Sequence, residues 1–503
     1  MKLATAGKAR LVTRRFAGVH DPVELHERLA APMLFCRTGG RSLILVDSAL
    51  RLEATRGEAR LAAMSEGGAL LIADLADRLS DHVIARGSHE LRLRFERCDD
   101  PDDAVRERAP TALDVLRAMV SCLSPDDSDE PFAIAALGLI GFDHVDMIEE
   151  LPERPAGEFP DLIFHLAETL VLVEPGGSAR ILAMSVGSDD SAEAHRQHHL
   201  AAERLQRTAA KCETARIGAA PISTDVVKAV PDLDDRAFSE VVERLKKHVA
   251  AGDIFQAVPS RTFRTPCPDP RTAFRRLVAA DPSAYQYLFD SGHGLLLGAS
   301  PETALEIRRE GPRRMVSVSP IAGTRPRGAT ADQDSRNEAE LRLDAKEIAE
   351  HMMLVDLARN DVARVSRPGT RTVPRLMEVE RFARVMHLVS TVEGELDEGK
   401  DAVDAIRACL NVGTLSGAPK LRAIELVRAF ERSARGPYGG AIGWIAGDGS
   451  MDSAVVIRSA LVTDGIAEVR AGAGVVADSD PMAEAAETRA KASAVLAALG
   501  AAA

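Results

Sequence analysis

The sequence predicts an α+β fold with large, mostly antiparallel β-sheets covered by helices. Helical and strand-like segments alternate along 503 residues, a length sufficient for two or more structural units. Residues 440–474 contain apolar runs separated by GDGS and TDG turns, which predicts three strands in an antiparallel meander. A composition of 46% hydrophobic and 28% charged residues is typical of a soluble globular protein rather than a disordered one.

The chain divides into two regions and a link. Residues 1–212 contain the strand-like runs RSLILVDSALRLEA and DLIFHLAETLVLVE and the helical run AEAHRQHHLAAERLQRTAAK. Residues 213–235 are polar, include two prolines and show little periodicity, so they are predicted to form a linker. Residues 236–503 form the second region.

The second region begins with a well-marked helix. Its apolar positions follow the helical period: Phe238, Val241, Val242, Leu245 and Val249. Asp234 or Asp235 is predicted to cap the start of this helix, and Gly252 to end it. A strand, DIFQAVPSRTF, is expected to follow.

Charge and cysteine usage exclude several classes of function. The formal net charge of -13 disfavours attraction to nucleic acid or to an anionic membrane. The six cysteines are scattered without metal-finger spacing, which suits a reducing compartment. The N-terminus lacks an apolar signal core, and the longest apolar run, residues 132–142, is too short to span a bilayer. We therefore expect a cytoplasmic protein.

Two Glu-x-x-Glu pairs lie on separate predicted helices. One helix is predicted over residues 334–365, and the other begins at Asp480, before a proline. The four carboxylates are Glu347, Glu350, Glu484 and Glu487. If the pairs converge, a hard divalent cation such as Mg²⁺ would be needed between them. One such pair alone is more typical of a solvated helix surface.

Basic and glycine-rich segments suggest an anion site. Arg458 lies within the apolar run AVVIRSALV, so its guanidinium needs an anionic partner. That partner is either a ligand or a structural Asp or Glu. Residues 471–474, AGAG, offer backbone N–H groups to a carboxylate or phosphate. The segment SPIAGTRPRG, residues 319–328, adds two glycines and two arginines.

Three further polar residues are candidates for chemistry. His387 lies in the apolar run VMHLVS, which suits either a site residue or a core histidine. Glu302 follows a small-residue turn in GASPE and could be a general acid if burial raised its pKa, although a surface position is the simpler interpretation. Gln256 is an amide and cannot act as a general base near neutral pH.

Taken together, these segments resemble the chorismate-utilising enzymes, and among them the large-subunit branch of the anthranilate synthases. The resemblance rests, over about residues 253–491, on IFQAVPSR, GASPE, PIAGTRPRG, EHMMLVDLARND, VMHLVS, GTLSGAPK, YGGAIGW, VVIRSALV and AGAGVVADSDP. Weaker N-terminal matches, LVDSALRL and FHLAETL, extend it over nearly the whole chain.

The resemblance implies two large antiparallel sheets packed as a sandwich, with helices outside and the active site between the sheets. It implies that residues 236–503 bind chorismate and that Glu350 and Glu487 bind Mg²⁺, with Glu347 and Glu484 in direct or water-mediated contact. The residues implied to contact chorismate are Gly323, Thr324, Tyr438, Arg458, Gly472, Ala473 and Gly474.

The reaction implied is amination of chorismate at C2 with loss of the C4 hydroxyl, followed by loss of pyruvate to give anthranilate. Glu302 is the expected acid for the hydroxyl, and His387 and Thr324 are expected beside the ring. In relatives that add water, a lysine base holds the position of Gln256. In the aminodeoxychorismate branch, a lysine nucleophile holds the position of Ala322, so alanine leaves room for ammonia.

The resemblance also implies partners. The chain has no amidotransferase signature, so ammonia is expected from a separate glutamine amidotransferase subunit, in a heterotetramer of two large and two small subunits. Two alternatives stay open at this point. One is an enzyme that releases 2-amino-2-deoxyisochorismate without pyruvate loss, and the other is a catalytically silent partner of an amidotransferase.

The chain departs from the family in its regulatory segments. Tryptophan-inhibited members carry Leu-Leu-Glu-Ser and Pro-Tyr-Met segments. Here Cys36 and Arg37 stand at the Glu and Ser positions, and Ala284 and Gln286 flank the matching Tyr285. Arg37 would bring a cation towards the ammonium of tryptophan, so we expect weak or absent inhibition. Such an enzyme could serve secondary metabolism instead of tryptophan biosynthesis.

Overall fold

The computed structural model of the chain describes residues 7–16, 18–126, 129–187, 190–213, 227–381 and 385–502. It confirms the predicted α+β fold with mostly antiparallel strands. Most of the predicted linker lies outside the described residues, which stop at Glu213 and resume at Val227.

The N-terminal region contains ten described strands and five helices. The strands are β1 (Gly7–Phe16), β2 (Met33–Arg37), β3 (Ser42–Thr55), β4 (Glu58–Ala63), β5 (Val83–Arg86), β6 (Glu90–Arg94), β7 (Leu123–Pro125), β8 (Ala135–Ile140), β9 (Leu162–Val173) and β10 (Ala179–Val186). The helices are α1 (Pro22–Leu29), α2 (Glu66–Arg78), α3 (Asp103–Arg106), α4 (Leu113–Ser121) and α5 (Ser191–Cys212). Short 3₁₀ turns cover Ser80–His82, Pro131–Ala133 and Phe142–Met147.

The described strands of the second region are β11 (Val227–Lys228), β12 (Val230–Pro231), β13 (Gln256–Ala257), β14 (Ser260–Pro266), β15 (Tyr285–Asp290), β16 (Leu295–Ser300), β17 (Thr303–Glu310), β18 (Arg313–Val318), β19 (Ile321–Pro326), β20 (Thr372–Arg381), β21 (Val385–Glu395), β22 (Gly417–Ala418), β23 (Ala441–Ala446), β24 (Met451–Val455), β25 (Ser459–Thr463), β26 (Ile466–Gly472) and β27 (Ala501–Ala502). Its helices are α6 (Asp235–Ala250), α7 (Pro270–Ala280), α8 (Ala331–Leu343), α9 (Ala345–Ala363), α10 (Ala402–Cys409), α11 (Gly413–Ser416), α12 (Lys420–Arg428) and α13 (Pro481–Ala498).

The strands predicted to form two sheets are joined by hydrogen bonds into one network. It contains 23 of the described strands, and its ladders are antiparallel except between β1 and β7. The four other described strands form two small pairs, β11 with β27 and β13 with β22. The N-terminal region contributes directly to the same network, because β2 pairs with β15 and β8 pairs with β23.

Strands face one another across an apolar core, as in a sandwich. Its buried members come almost entirely from β2, β3, β8, β9, β10, β15, β16, β23 and β24, and include Phe35, Leu137, Tyr287 and Phe289. Strand β9 is buried along its whole length, which explains its almost continuous apolar run. Two larger clusters combine strand and helix residues and lie between the sheet and its helices.

Helix α6 forms as predicted. The Asp234 carboxylate accepts a hydrogen bond from Ala237 N–H at 2.8 Å, and Gly252 follows the helix in a left-handed conformation. Phe238, Val242 and Leu245 pack into one core cluster. The predicted start of α13 at Asp480 is also observed.

The single helix predicted over residues 334–365 is two helices. Asp344 separates α8 from α9 in an extended conformation, and its carboxylate accepts hydrogen bonds from Lys346 and Glu347 N–H groups. Residues 334–365 contain no glycine or proline, so the sequence pattern concealed the break. The local side-chain bond competes with the helical hydrogen bond and restarts the helix.

The predicted three-stranded meander is four strands in two hairpins, β23–β24 and β25–β26. The run AVVIRSALV breaks near Arg458, which adopts a φ of 49°. The reason lies in the pairing, since β24 also pairs with β17 whereas β25 pairs with β16. The strand predicted over residues 253–263 is likewise split into β13 and β14 at Pro259, which has no N–H for a ladder.

Among the described helices, none combines the length and the apolar character needed to cross a membrane.

Candidate active site

A cavity of about 450 Å³ gathers side chains from distant parts of the second region. Residues of β13, β19, β21, β26, α9, α11 and α13 line it, with the loops that follow β16 and β24. The predicted site residues that line it are Gln256, Glu302, Ala322, Gly323, Thr324, Glu347, Glu350, His387, Tyr438, Arg458, Gly472, Gly474, Glu484 and Glu487.

Ala473 belongs to the wall behind the cavity. It is fully buried in an apolar cluster with Ala257 and Val475, and its N–H donates to Pro259 O at 3.2 Å. The structure therefore does not place Ala473 among the lining residues, although the two glycines beside it do line the cavity.

The pair β19–β21 places Thr324 opposite His387. Gly323 interrupts the register with a φ of 71°, which glycine adopts without a steric penalty. His387 Nδ1 lies 3.0 Å from Gly323 O and 3.1 Å from Thr324 Oγ1. A carbonyl oxygen only accepts, so Nδ1 carries the proton and Nε2 the lone pair. Burial lowers the pKa of His387 to about 4, and the ring is neutral near neutral pH.

Glu302 lies between β16 and β17 and is only 5% exposed. Its Oε1 accepts a hydrogen bond from the Thr414 hydroxyl at 2.7 Å. Burial raises the pKa of Glu302 to about 7, while the Thr414 hydrogen bond and the charge of Lys491 act in the opposite direction. This carboxyl can therefore hold a proton near neutral pH, as a general acid must.

Arg458 lies in the loop between β24 and β25, where Ala299 N–H donates to its carbonyl oxygen at 3.1 Å. Burial lowers the pKa of its guanidinium. In the part of the chain that the structure describes, Arg458 forms no ion pair with an Asp or Glu. The structural ion pair, one of the two sequence interpretations, is thus not observed, and the guanidinium is available to an anionic ligand.

Two glycines allow side chains to come close to the backbone of the cavity wall. A Cβ on Gly474 would lie 2.7 Å from Gln256 Nε2, and a Cβ on Gly472 would lie 3.0 Å from the Tyr438 hydroxyl. Gln256 is buried, and its Oε1 has no hydrogen-bond partner among the described residues. The amide and the phenol can therefore approach the glycine backbone closely.

The two Glu-x-x-Glu pairs meet at this cavity, Glu347 and Glu350 from α9 and Glu484 and Glu487 from α13. Within the described ranges, no three His, Cys, Asp or Glu side chains come close enough together to form a ready metal-binding group. Their chemistry nevertheless fits a hard cation. All four are oxygen donors, and Glu350 Oε1 is buried without a hydrogen-bond partner in the described part of the chain.

The environments of these carboxylates differ. Burial raises the pKa of Glu350 to about 7, and Glu347, Glu484 and Glu487 add to the rise. Burial likewise raises the pKa of Glu484. Burial also acts to raise the pKa of Glu487, but the Lys491 ammonium holds it below its ordinary value. The site is therefore crowded with negative charge that its own cations balance only in part.

Sequence reasoning missed four polar residues that line the cavity: Lys346, Thr414, Arg470 and Lys491. Helical spacing could have indicated two of them, because Lys346 precedes Glu350 by four residues and Lys491 follows Glu487 by four. Thr414 and Arg470 carried no such signal, since only the fold brings them to the cavity.

The arginines of SPIAGTRPRG are structural. Arg325 pairs with Asp344 at 2.6 Å and with Glu347 at 3.2 Å. Arg327 pairs with Asp334 at 2.6 Å. Their charges brace β19 against α8 and α9, and the lining positions of this segment are instead 321–324.

The two segments predicted to be altered regulatory segments lie on adjacent strands. Arg37 on β2 is the register partner of Tyr285 on β15. Arg37 Nη1 donates to Glu306 Oε1 at 2.6 Å and to Asp452 Oδ2 at 2.9 Å, and the Tyr285 hydroxyl donates to Asp452 Oδ1 at 2.9 Å. Beside them, Thr38 N–H donates to the carbonyl of Ala284, and Gln286 Nε2 donates to Ser283 O. These residues form one connected cluster.

Comparison with known proteins places this geometry in a family. Residues 82–497 match the model of the chorismate binding enzymes, and the chain belongs to that family. It is 43% identical to anthranilate synthase component 1 of Vibrio cholerae over 469 residues, covering 91% of this chain and 88% of that protein. It is 45% identical to the pyocyanine-specific anthranilate synthase component 1 of Pseudomonas aeruginosa, covering 92% and 87%.

Solved structures of related proteins have the same fold. The crystal structure of anthranilate synthase component I from Streptococcus pneumoniae matches with a TM-score of 0.69 at 28% identity, covering 91% of this chain and 92% of that one. The isochorismate synthase MenF of Escherichia coli, at 16% identity and a TM-score of 0.67, covers 99% and 96% and shares the fold.

The hydrogen bond from Thr414 makes a direct prediction about Glu302. In Thr414→Val the carboxylate loses a donor that stabilises its charged form, so the pKa of Glu302 rises further above about 7. Infrared difference spectra against Glu302→Gln, recorded across pH, should show the Glu302 carboxyl band persisting to higher pH in the variant. An unchanged titration would contradict the hydrogen bond.

Proposed function

We propose that this chain is the large subunit of an anthranilate synthase, converting chorismate and ammonia to anthranilate and pyruvate. The observation that carries the proposal is one cavity that holds Arg458, which forms no ion pair among the described residues, together with four glutamates suited to a cation. Chorismate is a dicarboxylate and complements both kinds of group. The names of the relatives at 43–45% identity point the same way.

Arg458 and the backbone around Gly472 and Gly474 would bind one carboxylate of chorismate. The Tyr438 hydroxyl stands beside this wall and would orient the same group. The other carboxylate would face α9 and α13, where Glu350 and Glu487 would hold Mg²⁺, with Glu347 and Glu484 close by. When bound, the cation would polarise the carboxylate next to the attacked carbon.

Glu302 would donate a proton to the C4 hydroxyl as ammonia attacks C2. Its burial keeps it protonated up to about neutral pH. The C4–O bond breaks with departure of water, and the C2–N bond forms. His387 would serve the second step, because its Nε2 carries the lone pair and can accept the C2 proton as the C3–O bond breaks. The departing enolpyruvyl group then gains a proton on its methylene carbon and leaves as pyruvate. Thr324 helps to fix the imidazole.

Ammonia needs no activating base, which suits the amide of Gln256 and the small side chain of Ala322 on the cavity wall. The ammonia would come from a glutamine amidotransferase subunit, and the two kinds of subunit would form a heterotetramer of two large and two small subunits. We place this assembly in the cytoplasm. We also propose that residues 1–212 contain the degenerate regulatory segments and that residues 236–503 are the catalytic region.

One assay tests the function. Purified chain is given chorismate, Mg²⁺ and an ammonium salt, and anthranilate fluorescence and pyruvate are followed together. Equal formation of both is expected. Consumption of chorismate without anthranilate would select an enzyme that stops at 2-amino-2-deoxyisochorismate, and no consumption would select the silent partner.

The need for a protonated Glu302 predicts that the reaction rate depends on pH. Because the acid form is required and the pKa lies at about 7, kcat/KM per unit of free ammonia should fall as pH rises above neutrality. Glu302→Gln should lose about 10²- to 10⁴-fold in rate and this dependence with it. Glu310→Gln, an exposed glutamate of β17, is the control. If Glu302→Gln kept the wild-type pH dependence of kcat/KM, Glu302 would not be the general acid.

We infer that tryptophan inhibits this enzyme weakly or not at all. The guanidinium of Arg37 is already bound by Glu306 and Asp452 and lies 5.6 Å from the Tyr285 ring centroid. These are the groups that would meet an amino-acid ammonium and an indole ring. Such an enzyme could supply anthranilate to secondary metabolism.

The prediction is that millimolar tryptophan leaves the rate of anthranilate formation unchanged and gives no binding heat in calorimetry. Arg37→Ala vacates the space, so any binding gained by this variant would identify Arg37 as the occupant. Inhibition of the wild type at micromolar tryptophan would contradict the inference.

A further inference from the structure

The four glutamates at the cavity, Glu347, Glu350, Glu484 and Glu487, are here called the carboxylate cluster. Two of its members have a close basic partner. Glu347 pairs with Arg325 at 3.2 Å, and Glu487 pairs with Lys491 at 2.7 Å. Glu350 and Glu484, one from each helix, are left facing a different group.

That group is Lys346. Its Nζ lies 3.7 Å from Glu350 Oε1 and 4.0 Å from Glu484 Oε1. The ammonium thus carries positive charge between α9 and α13, at the point where the half-buried Glu350 and the buried Glu484 repel each other. Coulombic attraction there exceeds that of a fully solvated pair, because Glu484 is only 4% exposed.

The contacts of the two lysines differ in kind. Lys491 donates to Gly472 O at 3.1 Å as well as approaching Glu487 at 2.7 Å, so directed bonds fix it. The distances from Lys346 to Glu350 and Glu484 exceed hydrogen-bond length. About half of the Lys346 side chain is exposed. Within the described part of the chain, charge alone therefore holds its ammonium, and a flexible side chain with access to solvent can leave.

We propose that Lys346 is a built-in, displaceable cation that competes with the divalent metal for the carboxylate cluster, through Glu350, a proposed metal ligand, and Glu484, which lies beside the metal site. A metal ion bound between α9 and α13 must move the ammonium out, and when the metal departs the ammonium returns. Lys346 would thereby weaken metal binding and, in exchange, keep α9 and α13 together without metal. The inference rests on the proposed magnesium site and adds a residue that sets its affinity.

The test is calorimetric titration of the whole chain with MgCl₂ in the absence of chorismate. Lys346→Met keeps the length of the side chain and removes the charge. It should bind Mg²⁺ about fivefold more tightly, the effect of removing an ion pair worth about 1 kcal/mol. Lys346→Arg keeps the charge and should bind no more tightly than the wild type. Lys247→Met, at an exposed position of α6, makes the same charge change away from the cavity and should also match the wild type.

Thermal unfolding gives an independent readout. In a chelator, Lys346→Met should unfold at a lower temperature than the wild type, and Mg²⁺ should raise its midpoint by more, because only the metal then balances Glu350 and Glu484. Equal or weaker Mg²⁺ binding by Lys346→Met would overturn the proposal. Absence of Mg²⁺ binding by the wild type, and by every variant, would overturn the magnesium site itself and the competition with it.

Discussion

The site depends on charged side chains that the fold encloses with too few oppositely charged neighbours to balance them. Arg458 has no carboxylate partner among the described residues, and enclosing an unpaired guanidinium costs several kcal/mol. A nearby network shows the contrast. Glu431 binds Arg435 at 2.8 Å and Arg470 at 2.9 Å, so each of these buried charges has an opposite neighbour. The fold thus neutralises charge where it supports the wall and leaves it unbalanced where we propose that a ligand binds.

The same residue type takes different protonation states within one cavity. Glu302 has a hydroxyl donor and burial, and its pKa is raised to about 7. Glu487 has Lys491 at 2.7 Å, and its pKa is lowered. Glu302 therefore suits proton donation, whereas Glu487 suits binding of a cation. Each assignment follows from neighbours supplied by other elements of the fold.

The sheet connects the cluster around Arg37 and Tyr285 to Glu302, the proposed catalytic acid. The Tyr285 hydroxyl lies 2.8 Å from Thr303 Oγ1, and Thr303 follows Glu302 directly at the start of β17. Val455 N–H, at the end of β24, donates to Glu302 O at 3.0 Å. Since β24 also carries Asp452, the ion pairs of Arg37 act on the strands that hold Glu302. The connection exists because β2 of the N-terminal region pairs with β15 of the second region.

The sequence by itself determined the local elements whose signals are short-range. Asp234 and Asp480 marked helix starts because a carboxylate caps nearby N–H groups, and the apolar run of β9 marked a strand. It also indicated most residues of the cavity, through segments that resemble one family. The break at Asp344 was harder to predict, because no glycine or proline marks it and only the capping bond restarts the helix.

Only the tertiary structure decided how charges are shared. Whether Arg458 had an ion partner, and whether Glu302 would hold a proton, depended on side chains far away in the chain. The split of the predicted meander depended on which strands β24 and β25 pair with. Lys346 and Lys491 look alike in sequence, each four residues from a glutamate, yet only Lys491 is fixed by a backbone carbonyl. Electrostatic interactions act through space, and the sequence records only distance along the chain.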